Sequence, residues 1–269
     1  DHHPRSRVID QEFLKEISFE MIEEVYTDRF ADASDFFFVI VGSMEEEEVK
    51  VLAQKYIGAI KDLEREETWV DHQVYEPEGI VEKTIPLALE TPKANVNIVI
   101  NQEMEYSSYH RMVLRVIEGI LDLRYTESIR EEEGGTYGVG IRTSLSRWPV
   151  EKASMRISFD CDPVRSSELK DKVFAELDKL AKEGPSEVDL SKTVENILKD
   201  REQSKEHNSY YLSAIYNYYI HGINFDDPDN YENILKDMTA KDVKKVMKAF
   251  YKKPNIVDVV FVPEEAEAE

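Results

Sequence analysis

The sequence predicts an α+β fold, an antiparallel-rich sheet with helices packed on one face. Three observations predict it. Tyr109, Met112, Val113, Val116, Ile117, Ile120 and Leu121 follow the i, i+3, i+4, i+7 spacing of a helix with one apolar side. A strict alternation comes next. Tyr137, Val139, Ile141, Thr143 and Leu145 fall on one face of a strand, and Gly138, Gly140, Arg142, Ser144 and Ser146 on the other. That strand pairs most simply as a hairpin with Ala153–Phe159, through a connection containing Trp148 and Pro149.

Taken in order, Ser18 caps a helix over 18–30 with Ile22, Val25, Tyr26 and Phe30 on one side. Phe36 to Val41 is apolar without alternation, which predicts a strand covered on both faces. Gly42 ends it. Glu45 to Glu48 open a helix carrying Val49, Leu52, Ala53, Tyr56 and Ile57, and the acidic run suits the positive end of its dipole. Residues 62–79 are polar and acidic, with Pro77 and Gly79, and read as a linker. Strands are expected at Ile80–Ile85 and Ala94–Ile100, and the central helix from Ser107 to Arg130. Asp162-Pro163 starts the next helix and Gly184-Pro185 stops it. Ser186 and Asp189 resemble a capping box for a helix with Val194, Ile197, Leu198 and Arg201. Asn208 opens a helix rich in tyrosine, whose phenols could form a binding wall but for the most part read as helix packing with hydroxyls reaching water or backbone. Thr239 caps a last long helix to Tyr251, and Ile256–Val262 is a final buried strand.

The chain has 269 residues, enough for one large domain or two ordinary ones, and no run of eighteen apolar residues to span a membrane. No secretory signal is read at Asp1-His2-His3-Pro4-Arg5. A net charge of −22 disfavours nucleic acid as a partner, because neutralising phosphates needs lysine and arginine. One cysteine, Cys161, excludes an internal disulfide and any CxxC site, and reads as a buried inert thiol. Glu264 to Glu269 read as a solvated acidic tail.

The stretch from Arg130 to Tyr137 is Arg-Glu-Glu-Glu-Gly-Gly-Thr-Tyr. It lies where the central helix ends and the alternation begins. Gly134 and Gly135 supply the positive φ that a helix C-terminus commonly needs. A guanidinium leaving a helix end and a phenol opening a strand, joined by a tight turn, can aim at one point. Spacing alone is equally compatible with a helix-end cation and a strand tyrosine at the edge of a core. A further pattern concerns the whole chain. Ser18–Val41 and Thr239–Val262 share a hydroxyl cap, apolar positions at matching intervals and an apolar strand eighteen residues on. If the match is a repeat, residues 1–65 are the closing part of one copy, 66–79 a linker and 80–269 most of the next. The chain then looks like a piece of a longer tandem protein.

These residues resemble the pitrilysin/insulinase family of zinc metallopeptidases. The resemblance rests on Arg-Glu-x-x-Gly-x-x-Tyr at Arg130 to Tyr137, on Phe159-Asp160-Cys161-Asp162-Pro163 before a helix, and on Asn208-Ser209-Tyr210-Tyr211-Leu212. Asp35 to Gly42 before an acidic helix and His3-Pro4-Arg5 add to it. It implies four related α+β domains of the processing-peptidase type, paired as two halves around a closed chamber. Residues 1–65 would close the third domain and 80–269 form the fourth. It implies zinc in the full-length parent, the N-terminal catalytic half as partner, a peptide substrate, and substrate contact through Arg130 and Tyr137, with Tyr137 also catalytic. A periplasmic or cell-envelope location follows from bacterial members and leaves a cytoplasmic one open.

The family's zinc motif, His-x-x-Glu-His, is missing from this sequence, and His2, His3, His72, His110, His207 and His221 offer no equivalent. Adjacent side chains such as His2 and His3 diverge, and metal sites need convergent ligands. His110 and His207 read as surface or capping residues and His221 as a helix-end residue. This chain is therefore expected to bind no metal. Two readings stand: the inactive fragment of a zinc endopeptidase, or a non-catalytic pairing member that keeps the fold.

Overall fold

The computed structural model describes residues 3–88, 92–131 and 138–264, with backbone alone for Arg130 and Glu131. The chain divides into two compact units, Asp1–Val74 and Tyr75–Glu269.

In the first unit, α1 (Gln11–Glu16) is capped by Asp10, whose carboxylate accepts from the Phe13 amide at 2.7 Å. Ser18 caps α2 (Phe19–Phe30), accepting from the Met21 amide. The acidic run opens α3 (Glu46–Tyr56). Asp32 pins the loops together. Its carboxylate accepts from the Ser34 hydroxyl at 2.6 Å and from the amides of Leu63 at 2.9 Å and Arg65 at 3.1 Å. These bonds, the Ser34 hydroxyl first, hold its pKa down to about 2.

The strand expected at Phe36–Val41 does not form: the segment is extended but belongs to no sheet. Its side chains stay in water, with Phe37 44%, Phe38 45% and Ile40 54% exposed. Val25 and Tyr26 of α2 and Val51 and Tyr56 of α3 are exposed as well. The reason is physical. A strand consists of hydrogen bonds to other segments, and no described segment of this unit offers a ladder.

The second unit is built on β1 (Ile80–Leu87), β2 (Ala94–Glu103), α4 (Ser108–Tyr125), β3 (Gly140–Ser146), β4 (Lys152–Cys161), α5 (Ser166–Glu183), α6 (Glu187–Ser204), α7 (Asn208–His221), α8 (Glu232–Asp237), α9 (Ala240–Phe250) and β5 (Asn255–Pro263). The sheet order is β1-β5-β2-β4-β3. Only β1 and β5 run parallel; β2 is antiparallel to β5 and β4, and β3 to β4. Alternation decides the layers. Val96, Ile98 and Ile100 sit opposite Phe159, Ile157 and Met155, and all six are buried. Asn97, Val99 and Asn101 sit opposite Ser158, Arg156 and Ser154 on the other face.

The helices cover the apolar face. α4 contributes Met112, Val113, Val116, Ile117, Ile120 and Leu121, and α9 contributes Val243, Val246, Met247 and Phe250, all buried. Each such aliphatic or aromatic side chain contributes about 1.5–3 kcal/mol. Two glycines are required by geometry. Gly184 ends α5 at φ +83°, and a Cβ on Gly119 would lie 2.7 Å from Thr193 of α6, so α4 and α6 touch there. Thr239 and Asp242 form a complete capping box at the start of α9. The tyrosines of α7 depart from the packed helix expected. Tyr211, Tyr216, Tyr218 and Tyr219 are exposed, and the side chain this helix buries is Asn217.

Hydrogen exchange checks the missing strand. In this chain the amides of residues 38–41 should exchange at nearly the rate of unstructured peptide, while those of residues 256–262 stay protected. Equal protection in the two segments would contradict the unpaired state.

Candidate functional site

The site predicted from sequence begins where α4 ends. Tyr125 is fully buried, its hydroxyl donating to the Val173 carbonyl at 3.4 Å. Burial, then the nearby Glu176 carboxylate, pushes this phenol well above its usual pKa. Past Tyr125 the helix widens into a π turn over Thr126–Glu131, a distortion often found at functional positions. The Ser128 hydroxyl donates back to the Arg124 carbonyl at 2.8 Å, and Ile129 is buried. Arg130 sits on this turn. Its side chain, the two glycines and Tyr137 lie outside the described residues.

The flanks of the Arg130–Tyr137 stretch are described, and both are anchored. Ile129 before it and Val139 and Ile141 after it belong to one hydrophobic core. Glu118 ties helix to strand. Its carboxylate accepts from the Thr143 amide at 2.6 Å, the Thr143 hydroxyl at 2.9 Å and Arg142 Nη1 at 3.1 Å. The described residues on either side of the stretch are therefore fixed relative to each other.

Among the described residues, no three His, Cys, Asp or Glu side chains converge as a metal site. His110 is engaged at the start of α4, its Nδ1 3.0 Å from the Ser107 hydroxyl. Cys161 is 3% exposed. Burial first, then Asp162 and Asp160, push its thiol to about 11, so it is a poor ligand and a poor nucleophile.

Sequence reasoning missed a second place. α4 and β3 form a cleft of about 660 Å³ with α6, α7 and the segment around Phe225 and Tyr231. Arg111 and Arg115, one turn apart on α4, meet Arg201 of α6 there. By spacing Arg201 falls with the apolar positions of its helix. It is indeed buried, 4% exposed at the side chain, but it lines this cleft. The available signal was the pair of arginines at i and i+4 on the flank of an otherwise apolar helix.

The chain belongs to the peptidase M16 family: residues 16–197 match the family's inactive domain. The probable zinc protease PqqL of Escherichia coli K12 is 25% identical over 235 residues, which is 84% of this chain and 24% of that protein. The protein of the same name from Haemophilus influenzae is 24% identical over 194 residues, 70% of this chain and 20% of its own length. This chain thus spans about a quarter or less of those relatives. Among solved structures, the peptidase M16 inactive domain from Pseudomonas fluorescens superposes with a TM-score of 0.74 at 15% identity, covering 97% of this chain and 61% of that one. The periplasmic protease PqqL from Escherichia coli gives 0.66 at 23% identity, covering 83% of this chain and 25% of that one.

The clamp on the loop is testable. Glu118→Ala removes three bonds to β3 and should destabilise the unit by about 1–3 kcal/mol, with Glu118→Gln, which keeps an acceptor, losing less. Urea titrations followed by circular dichroism measure this, and a Glu118→Ala variant as stable as the parent chain would show that the carboxylate does not hold the strand.

Proposed function

We propose that this chain is the C-terminal, metal-free part of a zinc metallopeptidase that hydrolyses peptides inside a closed chamber. In this reading residues 1–65 close the third domain, 66–79 link, and 80–269 are the fourth domain. The zinc and its ligands belong to the N-terminal catalytic half, the partner on which this part closes. A periplasmic location is proposed by analogy with the Escherichia coli relative, named a periplasmic protease. One observation carries the reading: Arg130 to Tyr137, with the family's Arg-Glu-x-x-Gly-x-x-Tyr pattern, sits at a distorted helix end in a chain matching the inactive domain of this family.

The chemistry follows from what a phenol and a guanidinium can do. When water adds to the scissile carbonyl, negative charge grows on its oxygen. A phenol donor aimed there acts most strongly when that charge is largest, and so on the transition state. A guanidinium offers a planar fork of donors to substrate backbone carbonyls and acts mainly by positioning. The lack of sheet pairing at Phe36–Val41 and the exposed apolar side chains of the first unit fit the same reading, since a partial domain lacks the strands that would cover them.

Two outcomes are expected. In the full-length parent, Tyr137→Phe should lower kcat by on the order of 10²-fold with little change in KM. Arg130→Ala should impair both, and neither change should shift the melting temperature much, because neither deletes core volume. Wild-type kcat/KM in Tyr137→Phe would end the catalytic assignment and leave a pairing or scaffold role. The purified 269-residue chain, without any tag, should contain no stoichiometric zinc and cleave no peptide. Metal analysis finding one tightly held zinc per chain would refute the placement of the metal elsewhere.

A further inference from the structure

The cleft under α4 carries positive charge that the structure does not neutralise. The chain as a whole is strongly acidic, at −22. Even so, Arg111 and Arg115 have no carboxylate within ion-pair distance among the described residues. Their bonds go to neutral acceptors: Arg111 Nη1 donates to Asn217 Oδ1 at 2.7 Å, and Arg115 Nη1 to the Tyr231 hydroxyl at 2.6 Å. Asn217 is itself buried and fixed, its amide donating to the Ser213 carbonyl at 2.7 Å. Each guanidinium has five N–H donors, so most of those on Arg111 and Arg115 are unassigned.

The third guanidinium adds an independent sign. Arg201 is held by the Phe225 carbonyl, which accepts from Nη2 at 2.6 Å, and lies 4.0 Å from the centre of the Tyr231 ring. Unlike Arg111 and Arg115 it is ion-paired, with Nε 3.3 Å from Glu232 Oε1 and Nη2 3.9 Å from Asp226 Oδ1, yet Nε makes no hydrogen bond. A buried donor left unbonded costs about 1–3 kcal/mol. It is found here on a wall of the cleft. The carboxylate that lines the cleft, Glu118, is already engaged by Thr143 and Arg142. The rest of the lining mixes hydroxyl and amide side chains, such as Ser144, Ser213 and Asn217, with the aromatic rings of Tyr106, Tyr216 and Phe225, and Phe225 lies 4.7 Å beneath the Arg111 guanidinium.

We propose that this cleft is a docking site for an acidic peptide segment, with Arg111 and Arg115 binding its carboxylates and the aromatic walls taking its apolar side chains. Planar guanidinium forks match carboxylates in paired geometry, and a partly enclosed, low-dielectric wall strengthens such bonds. The aromatic rings beside the arginines, which a bare inorganic anion would leave without contacts, favour a peptide. Along the helix, Arg115 lies fifteen positions before Arg130, roughly 20 Å along the axis. The assignment concerns this chain's own cleft and stands whether or not the parent is a peptidase.

The test uses the 269-residue chain carrying Trp69→Phe, which leaves Trp148 as the reporter; its ring stacks on His221 of the cleft at 5.3 Å. The probe is a blocked tetrapeptide alternating glutamate and phenylalanine, with the glutamine analogue as control and inorganic phosphate as competitor. The acidic peptide should change Trp148 fluorescence saturably and more weakly at high salt, whereas the glutamine analogue should not. Arg115→Ala and Arg111→Gln should each weaken binding about ten- to a hundredfold at unchanged melting temperature. Arg156→Ala, on the opposite face of the sheet, should have no effect. Equal binding of the glutamine analogue, full affinity in both arginine variants, displacement by equimolar phosphate, or no saturable signal would each overturn the proposal.

Discussion

The hydrogen-bonded position of Ala94–Glu103 between two antiparallel neighbours is the constraint on which the second unit depends. With β5 on one side and β4 on the other, every second side chain of β2 faces the helices, and Ala94, Val96, Ile98 and Ile100 are wholly buried. A slip of one residue would turn Asn95, Asn97 and Asn101 into the core and expose those four, so the pattern permits one register. α4, α5 and α9 then have a single apolar surface to cover. The same face holds one buried charge pair. Asp258 of β5, 1% exposed, meets Lys170 of α5, and one of its oxygens has no hydrogen bond. Such a pair costs desolvation on both partners and is tolerated because each neutralises the other.

Register also explains how a loop can be aimed. β3 is an edge strand, paired only with β4, and its free edge would ordinarily be loose. Here the Glu118 carboxylate takes the Thr143 amide and hydroxyl, so the helix itself supplies bonds to the strand. Ile129 and Val139, on either side of the Arg130–Tyr137 stretch, are both anchored in the core. The π turn over Thr126–Glu131 changes the direction in which Arg130 departs from the helix.

At the far end of α4 the same helix does something different. Arg111 and Arg115 lie on its flank, beside the buried stripe, and α6 and α7 rise next to them. Asn217 holds one guanidinium and Tyr231 the other, both through neutral oxygens, so the positive charge is positioned without being cancelled. Other cations of the chain are paired with carboxylates, as in Arg7 with Glu16, Arg29 with Glu67 and Lys182 with Asp178. One helix thus carries two polar regions of opposite design, separated by its own length.

The sequence by itself determined the helices, their caps and the faces they bury, because those depend on residues within a few positions of one another. Ser18, Ser186 and Thr239 cap as their spacing predicts, and the stripe from Met112 to Leu121 is the core of the unit. It also carried the Arg130 to Tyr137 pattern, since a motif is local. What it could not decide was pairing. Phe36–Val41 and Ile256–Val262 read alike, yet among the described residues only the second joins a sheet, and a strand exists only where another segment supplies the ladder. The arginine cleft was hidden for the same reason: Arg111 and Arg201 are far apart in the chain, and only the packing of α6 against α4, close enough to need a glycine at 119, brings them into one space.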